Sequence, residues 1–279
     1  MKINGSKEWI KFSNHRELPK DSQITGWTIT KDSCGDYWLS LSYKYEIPDI
    51  FHNEFNPIGC DLGLKETLTC SDGTIYPRLK LTKKFERKLS FQQKSLTRKK
   101  KGSQNYKKNK IKVAKIHRKI ASIRKHNNHC ISKDLVRKSN HIILENLSVK
   151  SMIKNRRLSK AIADVAWSQL VGFISYKQIE SQGLLDQIDR WFASSKLCHG
   201  CGSRKDNLRL SDRIYICDHC GLEIDRDLNA SLNIREEGIR LRKELGRNNP
   251  DLYKHKSVEI EISPLIGNDL RSRKKPITL

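Results

Sequence analysis

Ile58-Gly59-Cys60-Asp61-Leu62-Gly63 is the stretch on which the reading of this chain turns: a short apolar strand interrupted by one carboxylate. An unpaired charge in such a setting is costly to bury, so Asp61 requires a reason to be there. Thr67-Leu68-Thr69-Cys70 follows, then the turn Ser71-Asp72-Gly73 and the run Thr74-Ile75-Tyr76. Together these predict two or three antiparallel strands with an aspartate on the first. Further on, His141-Ile142-Ile143-Leu144-Glu145 is a second apolar strand that also ends in a carboxylate. Asp227-Leu228-Asn229-Ala230-Ser231-Leu232-Asn233-Ile234 opens a helix, with Asp227 or Asp225 near its cap.

Around this frame, Trp27-Thr28-Ile29-Thr30 and the alternating run Tyr37 to Tyr43, joined by Asp32-Ser33-Cys34-Gly35-Asp36, read as a β-hairpin within a β-rich stretch reaching to about Pro48. Ile162 to Gln178 reads as one helix, with Val165, Ala166, Leu170, Phe173 and Ile174 on one side. The residues from Asn248 onward are polar and irregular apart from Val258 to Ile262, and are expected to form a tail.

Charge supplies the next constraint. The 279 residues carry a formal net charge of +24, which self-repels in a compact state and calls for an anionic partner. Between Lys80 and Lys125 there are 19 Lys and Arg residues against one acid, Glu86, a net +18 from that segment alone. Its apolar positions Phe85, Leu89 and Leu96, then Val113, Ile116, Ile120 and Ile123, keep helical spacing, broken at Gly102-Ser103. The segment therefore reads as a helical hairpin with cationic outer faces. A merely solvated face usually mixes both signs of charge, and this one does not. Arg98, Lys99, Lys100, Lys101, Lys107, Lys108, Lys110, Lys112 and Arg118 are the candidate phosphate contacts. No apolar stretch approaches the roughly 20 residues of a spanning helix, and no signal peptide opens the chain. Nucleic acid is thus favoured over membrane as the partner, in a cytosolic setting.

Of the eight cysteines, Cys34, Cys60, Cys70 and Cys130 are scattered and read as small buried hydrophobes. The other four form Cys198-x2-Cys201-x15-Cys217-x2-Cys220, each pair within a Cys-x-x-Cys-Gly turn. Four thiolates at this spacing suit a structural, tetrahedral Zn2+ in a zinc ribbon. Redox chemistry is the rival, but it needs only one such pair. His199 and His219 lie inside the turns and are left out of the ligand set.

A single acid proves nothing, since an isolated aspartate is usually a turn or cap residue. Asp61 and Glu145 stand apart because each sits on an apolar strand, where a bound divalent cation would offset the burial. Two such strands plus an acid on a helix resemble the arrangement by which RNase H-like nucleases hold two Mg2+ ions about 4 Å apart across a scissile phosphate. Mg2+ takes oxygen ligands, which fits a carboxylate trio.

The segments IGCDLGLK, RKKKGSQNYKKNKIKVAKIHRKIA, IILENLSVKSM, RRLSKAIADVAWSQL, DRWFASSKLCHGCG and CGLEIDRDLNASLNI stand here in the order seen in the TnpB/OrfB proteins of insertion sequences. The chain resembles that family from roughly Trp9 to Gly238, and the family is similar to the nuclease halves of type V CRISPR effectors. The resemblance implies that Asp61, Glu145 and Asp227 are catalytic and hold Mg2+. It favours Asp227 over Asp225, and it identifies Cys198, Cys201, Cys217 and Cys220 as the ligands of a Zn2+ ribbon. It further implies RNA-guided cleavage of a DNA target, with guide RNA from the transposon end and strand transfer left to a separate transposase. Family members are longer at the N-terminus; the text HRELPKDSQITGWTITKDSCGDYWLSLSY resembles the last strands of their wedge-type barrel, without the helical recognition lobe. A second expectation is therefore a truncated, non-cleaving binder of Zn2+ and nucleic acid.

The expected fold is α/β: an RNase H-like (RuvC-like) domain with a helical insertion and an inserted zinc ribbon. The expected divisions are a partial barrel over 1–50 and a nuclease core over 51–190 containing the basic hairpin 80–127. The ribbon is expected over 191–222, a final helix over 223–246 and a tail over 247–279.

Overall fold

A computed structural model of the protein describes residues 17–47, 56–209, 211–248 and 265–267. In chain order the elements are β1 (Gln23–Lys31), β2 (Tyr37–Lys44), β3 (Pro57–Asp61), β4 (Glu66–Cys70), β5 (Ile75–Pro77), α1 (Leu81–Thr97) and α2 (Gln104–Lys138). They continue with β6 (His141–Glu145), α3 (Val149–Met152), α4 (Ser159–Val165), α5 (Trp167–Glu180), β7 (Leu184–Ile188), β8 (Ile214–Ile216), β9 (Glu223–Asp225), α6 (Arg226–Asn248) and β10 (Leu265–Gly267). The fold is mixed α/β. Among the described residues no helix is long and apolar enough to cross a membrane.

The chain forms two units, one drawn from Met1–Pro48, Lys88–Arg118 and Val258–Leu279, the other from Asp49–Arg87 and Lys119–Ser257. In the first, β1 and β2 form the expected hairpin, with Trp27 opposite Leu41 and Ile29 opposite Leu39. Leu39, Leu41 and Tyr43 alternate inward and are buried, and β10 pairs with the other edge of β2. Apart from β10 and the tail's first two residues, which end α6, the expected tail lies outside the described residues. The tight loop is organised by Asp32, whose Oδ1 accepts from the backbone N–H of Cys34 at 2.8 Å and of Asp36 at 3.0 Å. The turn between α1 and α2 uses Gly102 at a φ of +84°, where a side chain would be strained. Ser103 Oγ then accepts from the Tyr106 N–H at 3.1 Å, closing the first turn of α2.

The second unit carries the sheet that positions the site. Its order is β5-β4-β3-β6-β7. Strands β3, β6 and β7 are parallel, whereas β4 and β5 are antiparallel to their neighbours. Ile58 and Cys60 on β3, with Ile142 and Leu144 on β6, join Ile131 and Leu135 of α2, Ile162 of α4, and Leu170 and Ile174 of α5 in one core. Ile143, between the last two strand residues, faces the other way and packs with Ile234 of α6 and Ile188 of β7. Helices therefore cover both faces of the sheet, as parallel strands require.

The single helix expected over Ile162 to Gln178 is two helices. Ala166 adopts a left-handed φ of 56°, ends α4 by donating its N–H to Ile162 O, and starts α5. The reason lies in burial: Val165 and Trp167 are both buried, yet two residues apart on a straight helix they would point about 200° from each other. The turn at Ala166 brings both to the core, and left-handed backbone at a non-glycine costs on the order of 1 kcal/mol.

Candidate functional site: an acid site beside a four-thiol knuckle

Strand periodicity places the first two acids. β3 and β6 run in parallel register with Cys60 opposite Leu144, so Asp61 and Glu145 end their strands side by side. Side chains alternate between sheet faces. Asp61 shares its face with Gly59, and Glu145 with Ile143, the residue that packs on α6. Gly59 lets that helix lie directly on the strand: a Cβ there would sit 2.2 Å from Ser231 O and 2.5 Å from the Arg235 backbone nitrogen. Gly238 does the same from the helix side, since a Cβ on it would come within 2.4 Å of the Ile143 side chain. Two glycines thus bring α6 down onto the face from which both acids project.

The third acid arrives with the first turn of α6. Asp225 Oδ1 accepts from the N–H groups of Asp227 at 2.9 Å and Leu228 at 3.0 Å, which makes it the N-cap of the helix. The two acids left open by the sequence therefore have different occupations. Asp225 holds the helix end, and the charge of Asp227 reaches Asp61.

Burial pushes the Asp61 carboxyl well above the usual carboxylate range, and the negative charges of Glu145 and Asp227 push it the same way. Glu145 is also raised by burial, while hydrogen bonds from Ser194 and Asp61 work against that rise. The Ser194 hydroxyl donates to Glu145 Oε1 at 2.7 Å. Asp61 is buried within reach of the charges of Glu145 and Asp227, and such a negative field is one that a hard divalent cation matches. Among the described residues the three carboxylates do not converge within 4.8 Å as the four thiols do. A cleft of about 240 Å³ opens beside Glu145, lined by Leu62, Glu145, Leu147, Trp167 and Gln187. It lies at the carboxyl ends of the parallel strands, where α/β sheets habitually bind ligands.

The thiols are arranged by a different means. The N–H of Cys198 donates to Ser203 O at 2.9 Å and that of Gly202 to Cys198 O at 2.8 Å; Cys217, Leu222 and Gly221 repeat the pattern. Gly202 and Gly221, with φ of +74° and +72°, allow both turns to close. The four Sγ atoms lie within 4.8 Å of one another, with Cys198 to Cys220 and Cys201 to Cys217 each at 3.6 Å. Tetrahedral thiolates about 2.3 Å from one zinc ion would stand about 3.8 Å apart, so the set fits that ion. Hydrogen bonds from the Cys220 backbone and the Ser203 hydroxyl bring the Cys217 thiol down to about 5. Ser203 likewise brings Cys201 to about 7. Among the described residues the four cysteines are the group of three or more candidate ligands that converges this tightly; His199 and His219 stay outside it.

The cationic candidates divide. Arg98, Lys99, Lys100 and Lys101 lie on the connection between α1 and α2, and Lys107, Lys108, Lys110 and Lys112 on the exposed side of α2; all are exposed except the half-buried Lys99. Arg118 is different. Its guanidinium donates to Asp32 Oδ2 at 2.8 Å and bonds Asp36 Oδ2 as well, tying the hairpin loop to α2. Its charge is committed inside the protein.

Sequence reasoning passed over Ser194, Asn229 and Asn233. Asn229 and Asn233 are four apart on the buried face of α6, beside Ala230 and Ile234. Two amides on an otherwise small and apolar helix face were the available signal.

Comparison with known proteins supplies a separate line. Residues 40–156 match the OrfB_IS605 family model, described as "Probable transposase", and residues 167–234 match the Cas12f1-like TNB domain. A Streptomyces pristinaespiralis protein named "Putative RNA-guided DNA endonuclease" is 36% identical over 224 residues, covering 80% of this chain and 55% of that protein. The Escherichia coli (strain K12) protein "Putative RNA-guided DNA endonuclease InsQ" is 27% identical over 245 residues, 82% of this chain and 60% of that one. The chain thus spans little more than half the length of these curated relatives. The cryo-EM structure of the Cas12f1-sgRNA-target DNA complex aligns with a TM-score of 0.48 at 15% identity, over 79% of this chain and 68% of that one.

Proposed function

The chain belongs to the TnpB/OrfB family of transposon-associated proteins, and from that premise we propose that it carries a RuvC-like site for RNA-guided, Mg2+-dependent cleavage of DNA. What supports the reading is that Asp61 and Glu145 end adjacent parallel strands of a sheet ordered β5-β4-β3-β6-β7, and that the charge of Asp227, in the first turn of the covering α6, reaches Asp61. That order, with acids at the ends of adjacent parallel strands and a third on a covering helix, supports an RNase H-like core. Asp61, Glu145 and Asp227 would hold the magnesium. When bound there, Mg2+ activates a water and stabilises the leaving oxygen of the phosphodiester.

The residues of the chain do the rest. Ser194 holds one Glu145 oxygen in place, leaving the other for the site. Asp225 fixes the start of α6 and hence the approach of Asp227. The cleft at Leu62 and Trp167 opens beside Glu145 and would leave room for a substrate there. Cys198, Cys201, Cys217 and Cys220 would hold a structural zinc, which ties the two knuckle turns together. Arg98 to Lys101 and Lys107 to Lys112 would neutralise phosphates of the guide RNA or the DNA target without reading bases. The β1–β2 hairpin would be the remnant of a wedge-type barrel, and strand transfer would fall to a separate transposase.

The test is cleavage of guide-matched DNA in Mg2+ by this chain loaded with its guide RNA, beside Asp61→Ala. Wild-type cutting with loss of at least about 10³-fold in the variant is expected, the scale of removing one essential group from a catalytic set. Equal cutting by both proteins would sink the assignment. Binding of RNA and DNA with no cleavage by either would leave a binding protein.

A further inference from the structure

One segment touches both sites. Residues 194–199 run from Ser194, whose hydroxyl holds Glu145 Oε1 at 2.7 Å, to Cys198 and His199 in the first knuckle turn. Along its length the segment is gripped by two buried amides of α6. Asn229 Nδ2 donates to Leu197 O at 2.7 Å, and its Oδ1 accepts from the His199 N–H at 3.0 Å. One helical turn later, Asn233 Nδ2 donates to Ser194 O and to Leu197 O, each at 2.8 Å. Asn229 is wholly buried, Asn233 is 7% exposed and Ser194 4%.

These amides satisfy backbone groups of the segment that an apolar side chain would leave buried and unpaired, at a cost of about 1–3 kcal/mol each, so they fix the segment in one position. Here every bond goes to the short segment between the acid corner and the thiol knuckle. The donors sit on the helix that begins with Asp227, two residues before Asn229. The same segment and helix thus carry one acid directly, hold a second through Ser194, and enter the knuckle at Cys198.

We infer that Asn229, Asn233 and Ser194 are positioning residues that couple the four-cysteine site to the acid site, so that metal in the knuckle sets the geometry of Glu145 and Asp227. The zinc site is then more than a local staple: a loose knuckle frees Leu197 and His199, the amides lose their partners, and Ser194 no longer fixes Glu145. This inference rests on the reading of Asp61, Glu145 and Asp227 as a divalent-cation site, and adds the elements that hold that site in shape.

The experiment reads metal binding rather than cutting. Mn2+ is titrated into the full chain and followed by electron paramagnetic resonance, with zinc per chain measured on the same samples. The proteins are wild type, Asp61→Ala, Ser194→Ala, Ser194→Thr and Asn229→Leu, a change of similar volume that keeps the helix face filled. Ser194→Ala and Asn229→Leu are expected to retain zinc while weakening Mn2+ binding by about 10- to 100-fold, the usual effect of removing a partner that orients a metal ligand. Ser194→Thr, which keeps the hydroxyl, is expected to restore most of it. Stripping zinc from wild type should weaken Mn2+ to a similar degree, and stripping it from Asn229→Leu should add little, because the link is already cut. Mn2+ affinity unchanged in zinc-loaded Ser194→Ala and Asn229→Leu overturns the coupling, even if stripped protein unfolds. If Asp61→Ala binds Mn2+ as wild type does, the acid-site reading itself falls and takes the coupling with it. If Asp61→Ala alone loses Mn2+, the acid site stands and only the coupling is wrong.

Discussion

The two candidate ligand clusters of this protein are assembled by opposite strategies. Cys198, Cys201, Cys217 and Cys220 come from two local turns of the same design, and their sulfurs converge to within 4.8 Å. Asp61, Glu145 and Asp227 come from two strands and a helix far apart in sequence. They meet because Gly59 and Gly238 let α6 sit on the sheet. Backbone hydrogen bonds close the two knuckle turns around the thiols, and bonds from the Ser203 hydroxyl and the backbone favour thiolate at Cys201 and Cys217. The three candidate acids are placed by a scaffold built elsewhere, and burial first, then the charges of Glu145 and Asp227, raise the Asp61 carboxyl. A local motif can make a site that stabilises the fold, whereas a site assembled by tertiary packing is a load that the fold carries.

That contrast gives substitutions of opposite sign. The largest effect is expected at the knuckle. Cys217→Ser removes a central thiolate, and structural zinc in small sites contributes on the order of 10 kcal/mol. Zinc content should fall below one per chain and the β8–β9 ribbon should lose protection in hydrogen exchange; full zinc with unchanged protection would break the comparison from the thiol side. Next comes Gly59→Ala, whose methyl meets the α6 backbone at Ser231 O and Arg235 N. Neither neighbour is a flexible side chain, so a loss of about 3 kcal/mol is expected in urea denaturation. Asp61→Asn should go the other way. It removes one charge from a buried like-charged group, and with divalent ions chelated it should stabilise the second unit by about 1–2 kcal/mol while abolishing the proposed cleavage. A variant that is both inactive and less stable would mean that the acids are not under strain.

Legibility in the sequence follows the same division. Cysteine spacing, the Asp32–Asp36 turn and the alternation of Tyr37 to Tyr43 are local, and the elements they predict lie where expected. The break at Ala166 was invisible because Val165 and Trp167 both suit a helix, and only the shape of the core demands that both point inward. Residue chemistry alone left Asp225 and Asp227 equal, since either could cap the helix; the resemblance favours Asp227, and the capping bonds made by Asp225 supply the physical reason. Asn229 and Asn233 read as ordinary helix residues until the segment they grip is known. Arg118 counted as one more cation in a basic run, although Asp32 and Asp36 lie more than eighty residues before it in the chain and claim its charge.

Asp32 supplies the smallest effect and the cleanest foil to Asp61, being the same residue type with the opposite shift. Burial acts to raise its pKa. Trp38 Nε1, Arg118 and the N–H groups of Asp36 and Cys34 outweigh it and hold the carboxyl at about 2. A folded-state pKa below the unfolded value of about 3.9 stabilises the protein above that pH, and the contribution fades as pH falls toward 2. Because the group keeps some solvent contact, with 21% of its side chain exposed, screening reduces the contribution to about 1 kcal/mol. Asp32→Asn should therefore lower stability by about that much at pH 6 and by much less near pH 2.5, read from urea midpoints across the range. Arg118→Ala should show the same fading with acid, since it removes a partner of the same carboxylate. It should also leave the salt dependence of nucleic-acid binding as it is, whereas Lys100→Ala or Lys108→Ala should reduce the slope by about one unit each. An Arg118 variant that changes the salt slope while leaving stability untouched would return that residue to the phosphate-binding surface and reduce the loop network to a minor contact.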